Sequence, residues 1–259
     1  MIKNPAELPD ESFTLFLRPF EDDEFLYGVK PASTRSLRLR LQTPNSRTRE
    51  EEVVWTFRRR FGRVVAVGQP GERLPLPGAH RFYLPLNDWK PAVSDLIRRA
   101  RLVTLVAGTG PGTLWELTEA VRLLPPERLL LLVLSDEAGY ERFREAVPKT
   151  FEDRARELRE KGELPARAPS FPPYPALRNP DTKLTWIGVQ GLIHFSSAWE
   201  PTFTRADPTA VRALTLQGRV RKVYRKQMLP VLKSVAENSI STTHSRTTDG
   251  RRAGASTQG

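Results

Sequence analysis

Two short apolar runs constrain this chain more than any other feature. Leu102 to Ala107 (LVTLVA) and Leu129 to Leu134 (LLLLVL) carry almost no polar residue. A strand with one wet face alternates apolar and polar residues. A strand this uniformly apolar must be covered on both faces, as in a parallel sheet held between helices. Between the two runs stand a glycine-rich turn, GTGPGT from Gly108 to Thr113, and a helical stretch from about Leu114 to Leu124 that Pro125 and Pro126 bring to an end.

The same alternation extends outward. Phe13 to Arg18 (FTLFLR) reads as a first strand ended by Pro19, and residues 20–47 as a long loop. Thr48 opens T-R-E-E, a capping box, before a helix with Val53, Val54, Phe57 and Phe61 on one face; Gly62 stops it and RVVAVG (63–68) is a second strand. A Pro/Gly-rich loop fills 69–87, and Asp88 caps a helix to about Ala100 with Pro91 in its first turn. The apolar runs supply the third and fourth strands. Residues 138–161 look helical with an interruption at Pro148, 162–183 form a Pro-rich extension, and 184–195 is the best fifth strand. Asp207 followed by Pro208 opens a helix to about Ala236.

Strand–helix alternation of this kind predicts a doubly wound, flavodoxin-like α/β fold. The expected parallel sheet has about five strands in the order 2-1-3-4-5, with a long C-terminal helix. A single domain is expected over 1–236, with its core at 13–160, and a disordered tail at 237–259, where there is little apolar area to bury.

Composition narrows the chemistry. None of the 259 residues is cysteine, which excludes a disulfide scaffold, a thiolate metal site and a cysteine nucleophile. The three histidines, at 80, 194 and 244, share no metal-ligand spacing, so no metal is expected. No apolar run is long enough to span a bilayer and the first residues lack the apolar core of a signal peptide, so the expectation is a cytoplasmic chain with no membrane partner.

In the predicted order, strands one and three are neighbours, and the switch-point crevice opens beyond their carboxyl ends. The segments emerging there are 18–23 and 108–116. The glycine-rich turn between a buried strand and a helix leaves backbone amides free to face an anion. No Lys-Ser/Thr pair follows, so it is no P-loop, and glycines at 108, 110 and 112 do not make a dinucleotide fingerprint. Glu116 then brings a carboxylate close to that crevice. The same spacing fits a capping box in which Glu116 turns back to the Thr113 amide, and Trp115 fits a core aromatic.

The element order, with a Gly turn, Trp115 and Glu116-Leu117 after the third strand and FLRPFEDDEF after the first, resembles a TIR domain. The string G-T-x-x-E also resembles nucleoside 2-deoxyribosyltransferases and approaches the lonely-guy-type phosphoribohydrolases, though the Gly-Ser turn expected of the latter is missing. All three families act on N-glycosidic bonds. The resemblance implies Glu116 as the catalytic carboxylate, with Arg18, Phe20, Asp22, Asp23, Gly68, Gly108, Gly110, Gly112, Thr113 and Trp115 at the substrate. It further implies NAD or a related nucleotide as substrate, with no cofactor required. Nicotinamide leaves NAD as a neutral molecule, so one negative charge beside an oxocarbenium-like ribose suffices.

Other classes compete with this reading. A non-catalytic TIR-like module that senses nucleotides or binds proteins would use the same fold, and a second copy of the chain is a candidate partner. The excess of 41 basic over 30 acidic residues gives +11, concentrated at Arg35, Arg38, Arg40 and Arg47 and at Arg58, Arg59, Arg60 and Arg63. Such clusters suit nucleic acid, although basic residues at a helix C-terminus also favour the helix dipole.

Overall fold

The structure is a computed structural model that describes residues 8–18, 61–68, 80–83, 88–180 and 189–239. Its centre is a sheet of strands β1 (Phe13–Leu17), β2 (Arg63–Gly68), β3 (His80–Tyr83), β4 (Leu102–Val106), β5 (Leu129–Val133), β6 (Gly191–Phe195) and β7 (Pro201–Arg205), in the order β3-β2-β1-β4-β5-β6-β7. Strands β3 to β5 of that row are mutually parallel, with Leu15 beside Val65 on one side and Val103 on the other.

Both faces of the sheet are covered, as the apolar runs demanded. Leu15, Leu17, Val65, Val103, Leu105, Leu131 and Ile193 point to one face, against helices α1 (Trp89–Arg99), α2 (Pro111–Leu123) and α3 (Glu137–Glu160). Phe16, Val64, Ala66, Leu102, Val106, Leu130 and Leu192 point to the other. There they meet Phe61 and a C-terminal helix made of α4 (Leu216–Val223), a π-helical turn (Tyr224–Met228) and a last stretch over 229–239. The architecture is doubly wound α/β, and the five expected strands stand in the expected order.

Several details differ from the sequence reading, each for an identifiable reason. The fifth expected strand is shorter, Gly191–Phe195, and antiparallel to β5. Helix α3 carries the chain back across the sheet, and the Pro-rich segment then returns in extended form. The Tyr140 hydroxyl donates to the Pro172 carbonyl at 2.8 Å and the Tyr174 hydroxyl to the Ser135 carbonyl at 3.3 Å. The chain therefore re-enters beside the carboxyl end of β5, where the Gln190 amide donates to the Val133 carbonyl at 2.7 Å. Only an antiparallel strand can start from there.

Two further strands, β3 and β7, sit at the sheet's edges and bring the sheet to seven strands. β3 falls inside the expected 69–87 loop; a four-residue run among prolines is tolerated where one side needs no partner. α3 runs unbroken through Pro148, which lies on its exposed side, while Tyr140, Phe143, Val147, Phe151 and Leu158 fasten it to the core. The helix expected from Asp207 is a single 3-10 turn, Pro208–Ala210, and helix resumes only at Leu216 behind a Thr215 cap. Asp207 does cap that turn, accepting from the Thr209 and Ala210 amides, while its own backbone exchanges hydrogen bonds with the Gln227 side chain at 2.7 and 2.9 Å.

Gly62 has φ +77°, the left-handed conformation that ends a helix and favours glycine. The rest of the helix expected over 48–61, the loop over 20–47 and the tail beyond 239 lie outside the described residues.

Candidate functional site

β1 and β4 are the parallel neighbours from which the chain departs in opposite directions, to β2 on one side and β5 on the other. Their carboxyl ends form the switch point at which α/β sheets hold ligands. Leu17 lies beside Leu105, and Phe16 beside Ala66. Carrying that register onward brings Arg18, Gly68 and the start of the Gly108–Thr113 turn to one edge. Arg18 is only 3% exposed, so it is no solvated strand-end charge. Phe20, Asp22 and Asp23 lie outside the described residues.

α2 starts earlier than the sequence reading placed it. Gly110 is its N-cap, with extended φ −60° and ψ 141°, and Pro111 takes the first helical position, where its fixed φ helps and its missing N–H costs nothing. The first intrahelical bond runs from the Leu114 amide to the Gly110 carbonyl at 3.0 Å. The Gly112 and Thr113 amides precede it and have no acceptor within the helix. A Cβ added at Gly112 would meet no atom within 4 Å, so the protein's own packing does not demand glycine there.

The early start removes the capping-box explanation of Glu116. Thr113 is the third residue inside the helix and cannot be its cap, so Glu116 sits in the second turn with no cap to complete. Its side chain is nevertheless buried, at 4% exposure, and Oε2 has no hydrogen-bond partner among the described residues. Burial away from compensating charge pushes the carboxyl up to about 8. Glu116 is therefore mostly protonated near pH 7.

Trp115 belongs to the core. It is 9% exposed, meets Trp89 edge to face at 4.9 Å, and has the Lys90 ammonium and Arg154 guanidinium near its ring at 5.4 and 5.8 Å. Its indole N–H is buried without a partner among the described residues. Thr113 is buried too, whereas Gly108 and Gly110 are half-buried in the turn.

Sequence reasoning passed over Glu119 and Arg154. Glu119 Oε1 accepts from Ser94 Oγ at 2.8 Å and from Arg122 Nη2 at 2.6 Å, while Oε2 accepts from Arg154 Nη2 at 3.3 Å. One carboxylate thus ties α2 to both α1 and α3. Its i+3 spacing to Arg122 is a local signal; Arg154 lies 35 residues away, and no local pattern marks it. A groove of about 370 Å³ lies between α3 and Ala166 and Ala168, but neither Arg18 nor Glu116 lines it. Among the described residues no group of acidic and histidine side chains could hold a metal ion, and no helix is long and apolar enough to cross a membrane.

Compared with known proteins, the chain matches no family model, and no curated protein or solved structure shows significant similarity to it.

Proposed function

We propose that the protein cleaves, or transfers at, the N-glycosidic bond of NAD or a related nucleotide, with Glu116 as the charged group at the reacting ribose. The observation that carries this reading is a buried carboxyl with one oxygen unpartnered among the described residues, on the helix that follows the switch point and without a capping duty. Leaving such a group unsatisfied costs stability, and functional sites are where such costs are retained.

The chemistry needs little else. As the bond between C1′ and the base nitrogen breaks, both electrons go to the base, and nicotinamide departs neutral. C1′ gains oxocarbenium character, which an ionised Glu116 stabilises. Water, or an acceptor hydroxyl, then adds at C1′ and passes its proton to the Glu116 carboxylate, which returns to its protonated form. A pyridinium-bearing substrate is itself a cation, so its arrival favours the ionised form of Glu116 and releases its proton to solvent. The Gly112 and Thr113 amides, which have no acceptor within the helix, and Arg18, at the same edge of the sheet, suit the pyrophosphate.

The test is incubation of the purified chain with NAD and a panel of nucleotides, with chromatographic detection of released base. Release by the wild type, reduced at least a hundredfold by Glu116→Gln, is expected. No release from any nucleotide, even at high protein concentration, overturns the enzymatic reading and leaves a non-catalytic TIR-like module in its place.

A further inference from the structure

The C-terminal helix carries its charges where helix physics disfavours them. Arg219, Arg221, Lys222, Arg225 and Lys226 crowd its first three turns, and Lys233 follows further along. Arg219 lies in the first turn, at the positive end of the helix dipole, where a cation is destabilising. Arg221 and Arg225, and likewise Lys222 and Lys226, are like-charged pairs four residues apart, a spacing that costs a few tenths of a kcal/mol each. Glu237 is the one acidic residue over 216–239.

α3 shows what a helix on this protein looks like when its charges serve the helix. There Glu141 pairs with Arg144, Asp153 with Arg156, and Glu157 with Arg154. On the C-terminal helix Arg221, Lys222, Arg225, Lys226 and Lys233 are exposed, and none has an acidic partner among the described residues. The Lys222 ammonium instead donates to the carbonyl of Arg212, another exposed cation, at 2.6 Å.

We propose that this outer face is a sequence-independent docking surface for the phosphate backbone of nucleic acid. From Arg219 to Lys233 the basic row extends about 20 Å at 1.5 Å per residue, long enough to follow several phosphates. Guanidinium groups are suited to bidentate contact with phosphate oxygens. The chain's overall charge of +11 adds long-range attraction. A bilayer fits the face less well. Val223, Met228, Leu232 and Val235, the apolar side an amphipathic helix would insert, are already buried against the sheet.

The experiment titrates a fluorescently labelled DNA duplex of about 20 base pairs with the full chain and follows anisotropy at several salt concentrations. Neutralising about five phosphates should give a log–log salt slope near −4 to −5, a loss of roughly 10²–10³-fold between 50 and 200 mM salt. The quadruple reversal R221E/K222E/R225E/K226E should weaken binding at least a hundredfold. It should fold normally, because all four positions are exposed and Glu is about as good a helix former as Arg or Lys. If its thermal unfolding shows otherwise, R221Q/K222Q/R225Q/K226Q replaces it, with a loss of at least tenfold expected.

A control, R142E/K149E/R159E/K161E, makes the same charge change at exposed positions on and just after α3. It should weaken binding by less than tenfold. No duplex binding by the wild type at low salt overturns the proposal. So does equal weakening by the two reversals, which would assign binding to net charge alone. Binding confined to vesicles containing anionic lipid, with none to the duplex, overturns it in favour of a membrane surface.

Discussion

Glu116 and Glu119 lie three residues apart on α2 and are almost equally buried, at 4% and 1% exposure. Glu119 faces the seam between α1 and α3, where Ser94, Arg122 and Arg154 meet its carboxylate. Burial alone would push Glu119 up, but hydrogen bonds from Arg122 and Ser94, the Arg122 charge and the Arg154 bond outweigh it and hold the carboxyl below its usual range. Glu116 has burial without those partners and moves the other way. One acid is built into the fold. The other is maintained at a cost, and that contrast, more than burial itself, makes Glu116 the functional candidate.

The contrast breaks most visibly if Glu119 is removed. Glu119→Ala removes the hydrogen bonds from Ser94, Arg122 and Arg154 to a buried carboxylate, although Arg122 keeps Glu163 and Arg154 keeps Glu157. It should cost about 2–4 kcal/mol, read as a lower midpoint in chemical denaturation. Base release per folded molecule should stay near wild type. An equally large loss of turnover would make the two acids one functional unit.

Glu116→Gln should act in the reverse direction. Turnover falls by roughly 10²–10³, about 3–4 kcal/mol, because an amide cannot supply the negative charge. In the wild type, kcat/KM for base release should rise with pH and level off above about pH 8, where the free carboxyl is ionised.

The same variant sharpens the comparison through stability. The folded-state pKa of Glu116 is raised, so its contribution is fully present below about pH 4.5 and is lost as pH rises towards about 8. Glu116→Gln does not titrate, so its advantage over wild type should grow across that window and then stay constant. A gain on the order of 4 kcal/mol at pH 8, relative to the difference at acid pH, is expected from thermal or chemical unfolding. For Glu119 the sign is opposite: its stabilisation is present at neutral pH and is lost on acidification below the usual carboxylate range.

The smallest expected effect is at Gly112. Alanine has room there and should stabilise α2 by about 0.5–1 kcal/mol. If the open amides beside it receive a phosphate, Gly112→Ala should raise KM for the nucleotide several-fold with little change in kcat. Unchanged KM would place the phosphates elsewhere.

How much of this was legible in advance varies from element to element. LVTLVA and LLLLVL announce strands covered on both faces, because no other surrounding accommodates so many consecutive apolar side chains. The neighbours β2-β1-β4-β5 followed from strand–helix alternation. β3 and β7 did not, because edge strands need so little sequence that HRFY and PTFTR differ little from loop. The start of α2 turned on Pro111, read as part of a turn although it equally suits a first helical position. That three-residue difference separated a capping glutamate from an unpartnered one.

The sequence by itself determined the layers of this protein, the helix and strand types at its centre, and the identity of Glu116 as an acid near the switch point. Local periodicity and propensity act over a few residues, and those features are local. Only the tertiary structure decided the direction of β6, which depends on where a long helix and an extended return segment deliver the chain. Only it decided that Glu119 finds Arg154 across 35 residues while Glu116 keeps an unpartnered oxygen among the described residues. Whether a buried charge is satisfied depends on what the rest of the fold brings beside it, and no spacing along the chain encodes that.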